Sequence, residues 1–170
     1  MHALYVVSVW LHLVAAVVWI GGMVFLAAVV VPALRTPELA PSRVALLHVA
    51  GVRFRRIGWI AIGTLLVTGV LNLTLRGYGV AQLGSAAFWQ SRFGVVLLLK
   101  LLVVAVIVTL SVVHDFVVGP RATRVLRANP TSPEAARIRR NASWLGRANL
   151  VLALIVLALA VMLVRGAPWY

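Results

Sequence analysis

The residues of this chain that could do chemistry are few, and most of them lie inside long apolar runs. The first group follows the spacing four, seven and three, and consists of Ser8, His12, Trp19 and Gly22. That spacing places all four on one stripe of an α-helix. Because a polar group inside a bilayer is costly unless it is paired or useful, we expect the stripe to face protein. His12 is then either a hydrogen-bonded packing residue or a ligand or proton-handling group.

A second pair, Lys100 and His114, lies in another apolar run. The two residues are fourteen positions apart, which at helical periodicity puts them on one face about 21 Å from each other. Lys100 is expected toward the outer side and His114 toward the cytoplasmic side. The depth of Lys100 matches that of His12, so we expect these two side chains to face each other across the protein. The alternative for Lys100 is an amine that reaches the outer headgroups.

Two further titratable residues are expected near the cytoplasmic ends of the helices. Asp115 lies beside His114, and Arg121 or Arg147 could neutralise it in an ion pair. His48 either approaches His114 to form an inner site or is solvated.

Four apolar segments must position these residues. About 20 apolar residues cross a bilayer, and suitable segments cover about residues 4–31, 57–75, 94–118 and 144–164. Gly or Pro just beyond each segment predicts its end. Asn72 in the second segment and Asn149 in the fourth are expected to hydrogen-bond between helices. The sequence thus predicts an all-α fold, a single-domain integral membrane four-helix bundle.

Short interfacial helices are expected in the two arginine-rich loops, which are the cytoplasmic ones. Arg43–Arg56, preceded by Ser42 as a plausible N-cap, forms one such stretch before the second span. The pattern Thr131-x-x-Glu134 fits a capping box that opens another, and this helix is expected to run on into the fourth span.

The arginines indicate the orientation of the chain. Twelve of them fall in two loops that share one side of a four-span layout: Arg35, Arg43, Arg53, Arg55, Arg56, Arg121, Arg124, Arg127, Arg137, Arg139, Arg140 and Arg147. Only Arg76, Arg92 and Arg165 fall on the other side. Because cytoplasmic loops are enriched in Lys and Arg, both termini are predicted outside. An Ala-, Val- and Arg-rich composition is typical of a prokaryote, and hence of its inner membrane.

The composition excludes several classes of protein. Of the 170 residues 63% are hydrophobic and 11% are charged, whereas a soluble domain has roughly 25% charged residues. The net charge of +13 comes from loops that flank apolar spans, so it indicates membrane topology and not nucleic-acid binding. The expected partner is the lipid bilayer. The absence of cysteine excludes a disulfide framework and a thiolate metal site.

Several motifs resemble known membrane proteins. The resemblance rests on His12-Leu-x5-Trp19-x-Gly21-Gly22, Arg53-Phe-Arg-Arg56 before a helix with Thr68-Gly69, Lys100 in the third span, and His114-Asp115-Phe-x2-Gly119-Pro120-Arg121. Together they resemble the CopD copper-resistance membrane domain and smaller CopD-like proteins. The first three features, with Arg147-Ala-Asn149 opening the fourth span, are also similar to HemJ, the membrane protoporphyrinogen oxidase.

The resemblances imply two activities. Similarity to HemJ implies that His12 ligates haem and that Lys100 is a second essential group. Similarity to CopD implies copper uptake across the membrane.

The residues themselves leave three functions open. The first is a b-type haem or related redox site, since imidazole suits iron and bundle-facing histidines are a usual placement. In that case His12 is a ligand, Lys100 is the second ligand, or His114 and His48 form a separate inner metal site. At the outer edge Arg92 or Arg76 would pair with the haem propionates.

The second function is copper transport, and the third is a non-catalytic role in a larger membrane complex. Cu(I) prefers thiolate and thioether ligands. The chain has no cysteine, and Met1, Met23 and Met162 form no cluster in the sequence, which leaves His2 and His12 as possible copper ligands. A larger complex, or a membrane redox partner, would use the apolar helix faces for packing.

Overall fold

The computed structural model describes residues 1–39, 41–129 and 131–166, and over these ranges the chain is helical without β-strands. Four helices are long and apolar enough to cross a membrane, which confirms the predicted all-α membrane fold: His2–Ala33, Arg43–Leu75, Arg92–Ala128 and Pro133–Arg165. The chain divides into two compact units, Met1–Phe88 and Trp89–Tyr170. Each unit contains two of the long helices. That the units form one domain stays a prediction.

The elements follow one another with short connections. In chain order they are α1 (His2–Phe25), π1 (Leu26–Val30), α2 (Val31–Ala33), a 3-10 turn (Pro37–Leu39), α3 (Arg43–Leu75), α4 (Val80–Leu83), α5 (Ala86–Gln90), α6 (Arg92–Val112), π2 (Val113–Val118), α7 (Gly119–Ala128) and α8 (Pro133–Arg165). Here π1 and π2 are π-helical turns. The short helices α4 and α5 have no counterpart in the predicted loops.

Two predicted helix boundaries were wrong. The stretch Arg43–Arg56 is not a separate interfacial helix, because α3 runs unbroken from Arg43 to Leu75. No proline interrupts this stretch, so the backbone hydrogen-bond ladder continues from the basic segment into the span. The third long helix likewise continues beyond Gly119-Pro120 as far as Ala128.

A π-helical turn precedes each of the two prolines that were expected to end a helix. Proline has no N–H, and its ring crowds the carbonyl four residues earlier. For Pro32 and Pro120 that carbonyl lies within π1 and π2 respectively. There the bonds skip one residue further, as from Val31 N–H to the Leu26 carbonyl and from Gly119 N–H to the His114 carbonyl. The first long helix ends at Ala33, one residue past Pro32, as expected, whereas the third widens locally and continues past Pro120 to Ala128.

The start of α8 lies one residue beyond the predicted capping box. The Ser132 hydroxyl, and not that of Thr131, accepts a hydrogen bond from the Ala135 N–H at 3.1 Å. Pro133 occupies the first turn, where its missing N–H is not needed. The helix then continues to Arg165, as predicted for the fourth span.

In the unit Met1–Phe88, α1 packs against α3. Ser8, Ala15 and Trp19 are buried on α1, and Ala61 and Thr68 are buried on α3. Contacts join the beginning of α1 to the end of α3, and the end of α1 to the beginning of α3, so the two helices are antiparallel.

In the unit Trp89–Tyr170, α6 packs against α8, and α7 packs against the beginning of α8. Its buried residues are mostly aliphatic: Val96, Leu97, Ile107, Ile138, Ala153 and Leu159. Large apolar side chains remain on the surface of both units, among them Val17 and Ile60, each 71% exposed. Such a surface suits lipid and not water.

Candidate functional site

The predicted stripe on α1 does face another helix, and the centre of that contact is the ring of His12. The His12 Nδ1 atom lies 2.8 Å from the Thr68 Oγ1 atom of α3. His12 itself is half-buried and Thr68 is buried. Two polar side chains, 56 residues apart in the chain, therefore meet between two largely apolar helices.

The hydrogen bonds of Thr68 determine which nitrogen of His12 carries the proton. The Thr68 hydroxyl donates to the Thr64 carbonyl at 2.6 Å, a separation that two oxygens reach only with a proton between them. A hydroxyl has one proton, so Thr68 Oγ1 must accept the bond that it shares with His12. The Nδ1 atom of His12 is consequently the donor. In the neutral imidazole the lone pair then belongs to Nε2.

Three rings lie over glycines at this helix contact. Gly69 is beside the His12 ring, where a Cβ atom would come within 3.6 Å of His12 Cε1. Gly58 stands in the same relation to Trp19, with 3.6 Å from a Cβ to Trp19 Cδ1, and a Cβ on Gly22 would overlap the Phe54 ring. Glycine lets the backbones approach closely enough for each ring to rest on the facing helix.

Two more polar groups extend the His12 contact along the same face. The Ser8 hydroxyl donates a long hydrogen bond of 3.5 Å to the Thr68 carbonyl. Asn72, one turn beyond Thr68, has its Oδ1 atom buried without a hydrogen bond among the described residues. The Asn72 side chain therefore supplies an acceptor that this part of the structure does not use.

A separate polar pair occupies π2 in the other unit. The His114 Nδ1 atom lies 2.9 Å from an oxygen of the Asp115 carboxylate, its neighbour in sequence. Arg121, an expected partner of Asp115, pairs instead with Glu134 at 3.0 Å. A carboxylate on one imidazole nitrogen is the usual arrangement that orients a histidine for work at its other nitrogen, and π-turns are frequent at functional sites.

The other predicted site residues lie along α3 and α6 and their continuations. His48 lies on α3 twenty residues before Thr68, about 30 Å along the helix, so it cannot share a metal ion with His12. Lys100 is half-buried in α6, and about 21 Å of helix likewise separates it from His114. Arg92 is the exposed first residue of α6. Whether His12 faces Lys100, and whether His48 approaches His114, stay predictions.

The positions of the His, Asp and Glu side chains decide whether this structure could hold a metal ion. Among residues 1–39, 41–129 and 131–166, no three His, Asp or Glu side chains lie close enough to hold a metal ion together. A copper site with several protein ligands does not fit this arrangement. A centre that brings most of its own ligands, such as haem iron, needs only one or two protein groups.

The sequence did not identify Thr64 or the role of Thr68 as a partner of His12. The Thr68-Gly69 motif contributed only to the family resemblance, although a threonine beside a glycine within a span is a recognisable signal of a helix contact. The Thr68 hydroxyl donates to the Thr64 carbonyl and thereby fixes the tautomer of His12, a relation that depends on side-chain rotamers.

Fold and contacts together define a multi-pass helical membrane protein with a histidine held by hydrogen bonds between two apolar helices. The sequence also matches a known protein family. The family model "Copper resistance protein D" (CopD) matches residues 48–163, and the chain belongs to this family. The matched region begins at His48 and thus leaves out α1.

The chain is also similar to a curated protein over most of its length. An uncharacterized protein of Aquifex aeolicus (strain VF5) is 32% identical over 154 residues, which cover 89% of this chain and 90% of the relative. No solved structure matches the chain.

Proposed function

We propose that this CopD-family protein binds b-type haem in the membrane and serves a redox role, with Nε2 of His12 as an iron ligand. The proposal rests on the two hydrogen bonds of the Thr68 hydroxyl, which accepts from His12 Nδ1 and donates to the Thr64 carbonyl. Metal-ligating histidines commonly donate their other N–H to a fixed acceptor. The Thr68 hydroxyl is such an acceptor.

Each residue has a defined task in this proposal. Thr68 orients the imidazole with its Nδ1–H toward α3, and Gly69 leaves room for the ring against α3. Lys100 is the proposed second essential group, and Arg92 the proposed partner of a propionate. Haem iron, when bound, supplies one-electron chemistry by cycling between its ferric and ferrous states. A membrane redox partner or a larger complex would exchange that electron.

Localisation and orientation are part of the same proposal. The multi-pass protein is proposed to lie in a prokaryotic inner membrane with both termini outside. The support is the accumulation of twelve arginines in two loops that share one side of the four-span layout. His12 would then lie in the outer half of the bilayer.

Absorption spectroscopy of two variants tests the haem proposal. His12→Ala should remove the Soret band of the purified protein, in the oxidised and the reduced state, while the protein stays inserted and helical. Thr68→Val should lower haem affinity by about 10- to 100-fold, because the ligand loses its orienting hydrogen bond. Thr64→Val is the matched control, since it deletes a hydroxyl that donates to the Ile60 carbonyl one turn away and does not contact His12 among the described residues.

A Soret band that survives His12→Ala unchanged would refute the proposed ligand. A wild-type protein without any such band would point to a non-catalytic subunit of a larger complex.

Copper uptake is the second candidate, and membership of the copper resistance protein D family favours it. With copper as cargo, single imidazoles such as His2 and His12 would pass the ion on without a high-affinity site. Cells that produce the protein should then accumulate more copper than cells without it, and His12→Ala should reduce the difference. Equal copper contents over a range of external concentrations would remove this candidate.

A further inference from the structure

A cleft in the unit Trp89–Tyr170 lies where π2 and α7 meet the first turns of α8. Its volume is about 470 Å³, within the range of small-molecule sites. Six of its lining residues define what we call the basic cleft: Val117, Val118, Arg121, Glu134, Arg137 and Ile138. No residue of the proposed haem site belongs to it.

The basic cleft has an apolar wall and a charged wall. Val117, Val118 and Ile138 supply the apolar wall. On the charged wall, Arg121 and Glu134 form an ion pair at 3.0 Å, so their charges offset each other. The guanidinium of Arg137 leaves the cleft with a net positive charge, and its planar fork matches a phosphate group.

The position of the cleft along the chain matches the edge of a bilayer. The third long helix, Arg92–Ala128, has 37 residues and is about 55 Å long, whereas the hydrocarbon layer is about 30 Å thick. Phe116, Val117 and Val118 are the last apolar residues after His114 and Asp115, and three arginines follow on α7 at positions 121, 124 and 127. The apolar wall therefore lies at the end of the apolar segment, and the charged wall lies on the side of the arginines, as expected for a cleft at the boundary between acyl chains and headgroups.

We propose that the basic cleft binds one anionic glycerophospholipid. The phosphate would bind the Arg137 guanidinium, with Arg121 close by, and the upper part of an acyl chain would lie on Val117 and Val118. A free phosphate would bind the arginines of the charged wall but would leave the apolar wall exposed to water. A lipid can contact both walls at once, because it has a phosphate and acyl chains.

Native mass spectrometry of the full chain in detergent tests this proposal with three ligands. The probes are phosphatidylglycerol, phosphatidylcholine with the same acyl chains, and inorganic phosphate. One phosphatidylglycerol should be retained in preference to phosphatidylcholine, and inorganic phosphate should not displace it. Arg137→Gln should weaken that binding about fivefold, the effect of one arginine at an anionic surface.

Arg139→Gln is the matched control, because it removes the same charge from the same exposed stretch of α8 outside the cleft. It should leave the retained lipid in place. An equal loss in Arg137→Gln and Arg139→Gln would mean diffuse attraction and would overturn the site. Displacement by inorganic phosphate, or equal retention of phosphatidylcholine, would overturn the anionic lipid as its ligand. Circular dichroism of both variants verifies that the helices are intact.

Discussion

The two long-helix pairs of this protein solve the same packing problem differently. Between α1 and α3, the rings of His12, Trp19 and Phe54 rest on glycines of the opposite helix. Between α6 and α8, the contact is built from aliphatic side chains such as Ile107 and Ala153. Lipid provides little hydrophobic drive between helices, so close backbone approach and shape complementarity must hold each pair. The ring-bearing pair holds the His12 imidazole between its two helices.

The pairs also differ in how they treat polar atoms. Thr68 uses its hydroxyl both as donor and as acceptor, so it links His12 to the α3 backbone. In the other pair, the Asn149 amide donates to the Ser111 hydroxyl at 2.8 Å, and Asn149 Oδ1, like Asn72 Oδ1 of α3, is buried without a partner among the described residues. A fully bonded group suits a fixed ligand, whereas the Asn149 contact serves helix association.

Of the substitutions that test the difference between the α1–α3 and α6–α8 pairs, Gly22→Ala is expected to have the largest effect on stability. Gly22→Ala places a Cβ atom into the Phe54 ring, and the ring must move to make room. We expect the free energy of unfolding to fall by about 1–3 kcal/mol, as for other overpacked cores. Unfolding by dodecyl sulfate in mixed micelles, followed by circular dichroism, measures the change.

Its neighbour supplies the control for that experiment. A Cβ atom on Gly21 would meet nothing within 4 Å, so Gly21→Ala should be tolerated. Equal destabilisation by both variants would show that the ring-on-glycine contact does not hold this pair together.

An intermediate effect is expected from the two side-chain hydrogen bonds. Double-mutant cycles of His12→Ala with Thr68→Val, and of Ser111→Ala with Asn149→Ala, isolate the coupling energy of each pair. Such couplings in membrane proteins average about 0.6 kcal/mol and reach about 1.7 kcal/mol. The His12–Thr68 coupling should be the larger, because the donated proton of Thr68 polarises its oxygen as an acceptor. A larger Ser111–Asn149 coupling would reverse the comparison.

The smallest effect is expected at Gly58. A Cβ atom there would lie 3.6 Å from Trp19 Cδ1, which is ordinary contact and not overlap. Gly58→Ala should leave stability unchanged or raise it by up to about 1 kcal/mol, the helix preference of Ala over Gly. The same unfolding assay measures this change. If Gly58→Ala lowered the free energy of unfolding as much as Gly22→Ala, the space beside each glycine of this helix contact would be equally restricted.

Much of the fold followed from apolar runs and periodicity, and less of the site did. The stripe that bears Ser8, His12 and Trp19 was predicted to face protein, and it faces α3. The partner Thr68 could not be chosen over other polar residues of α3, because periodicity gives a face but neither the register of two helices nor a rotamer.

One helix end failed for a different physical reason. Proline is a strong stop signal in water, where a freed carbonyl bonds to solvent and the chain can turn. The first long helix does end at Ala33, one residue past Pro32, but the third continues past Pro120 to Ala128, after a π-helical turn in which the Gly119 N–H bonds to the His114 carbonyl. No residue type in Leu26–Val30 or Val113–Val118 announces a π-turn, so the sequence alone could not reveal it.

The two π-turns have a consequence for the ancestry of these helices. A π-turn is an α-helix that has accommodated one surplus residue. In π2 the extra residue is absorbed in one wider turn, in which the Gly119 N–H bonds to the His114 carbonyl. The arginines of α7 therefore keep the face that an α-helix one residue shorter would give them, although their numbering is shifted by one position, or about 100° on a helical wheel. Kin of this protein with an uninterrupted α-helix at 113–118 are expected to align there with a one-residue gap and to present the basic residues of α7 on the same side.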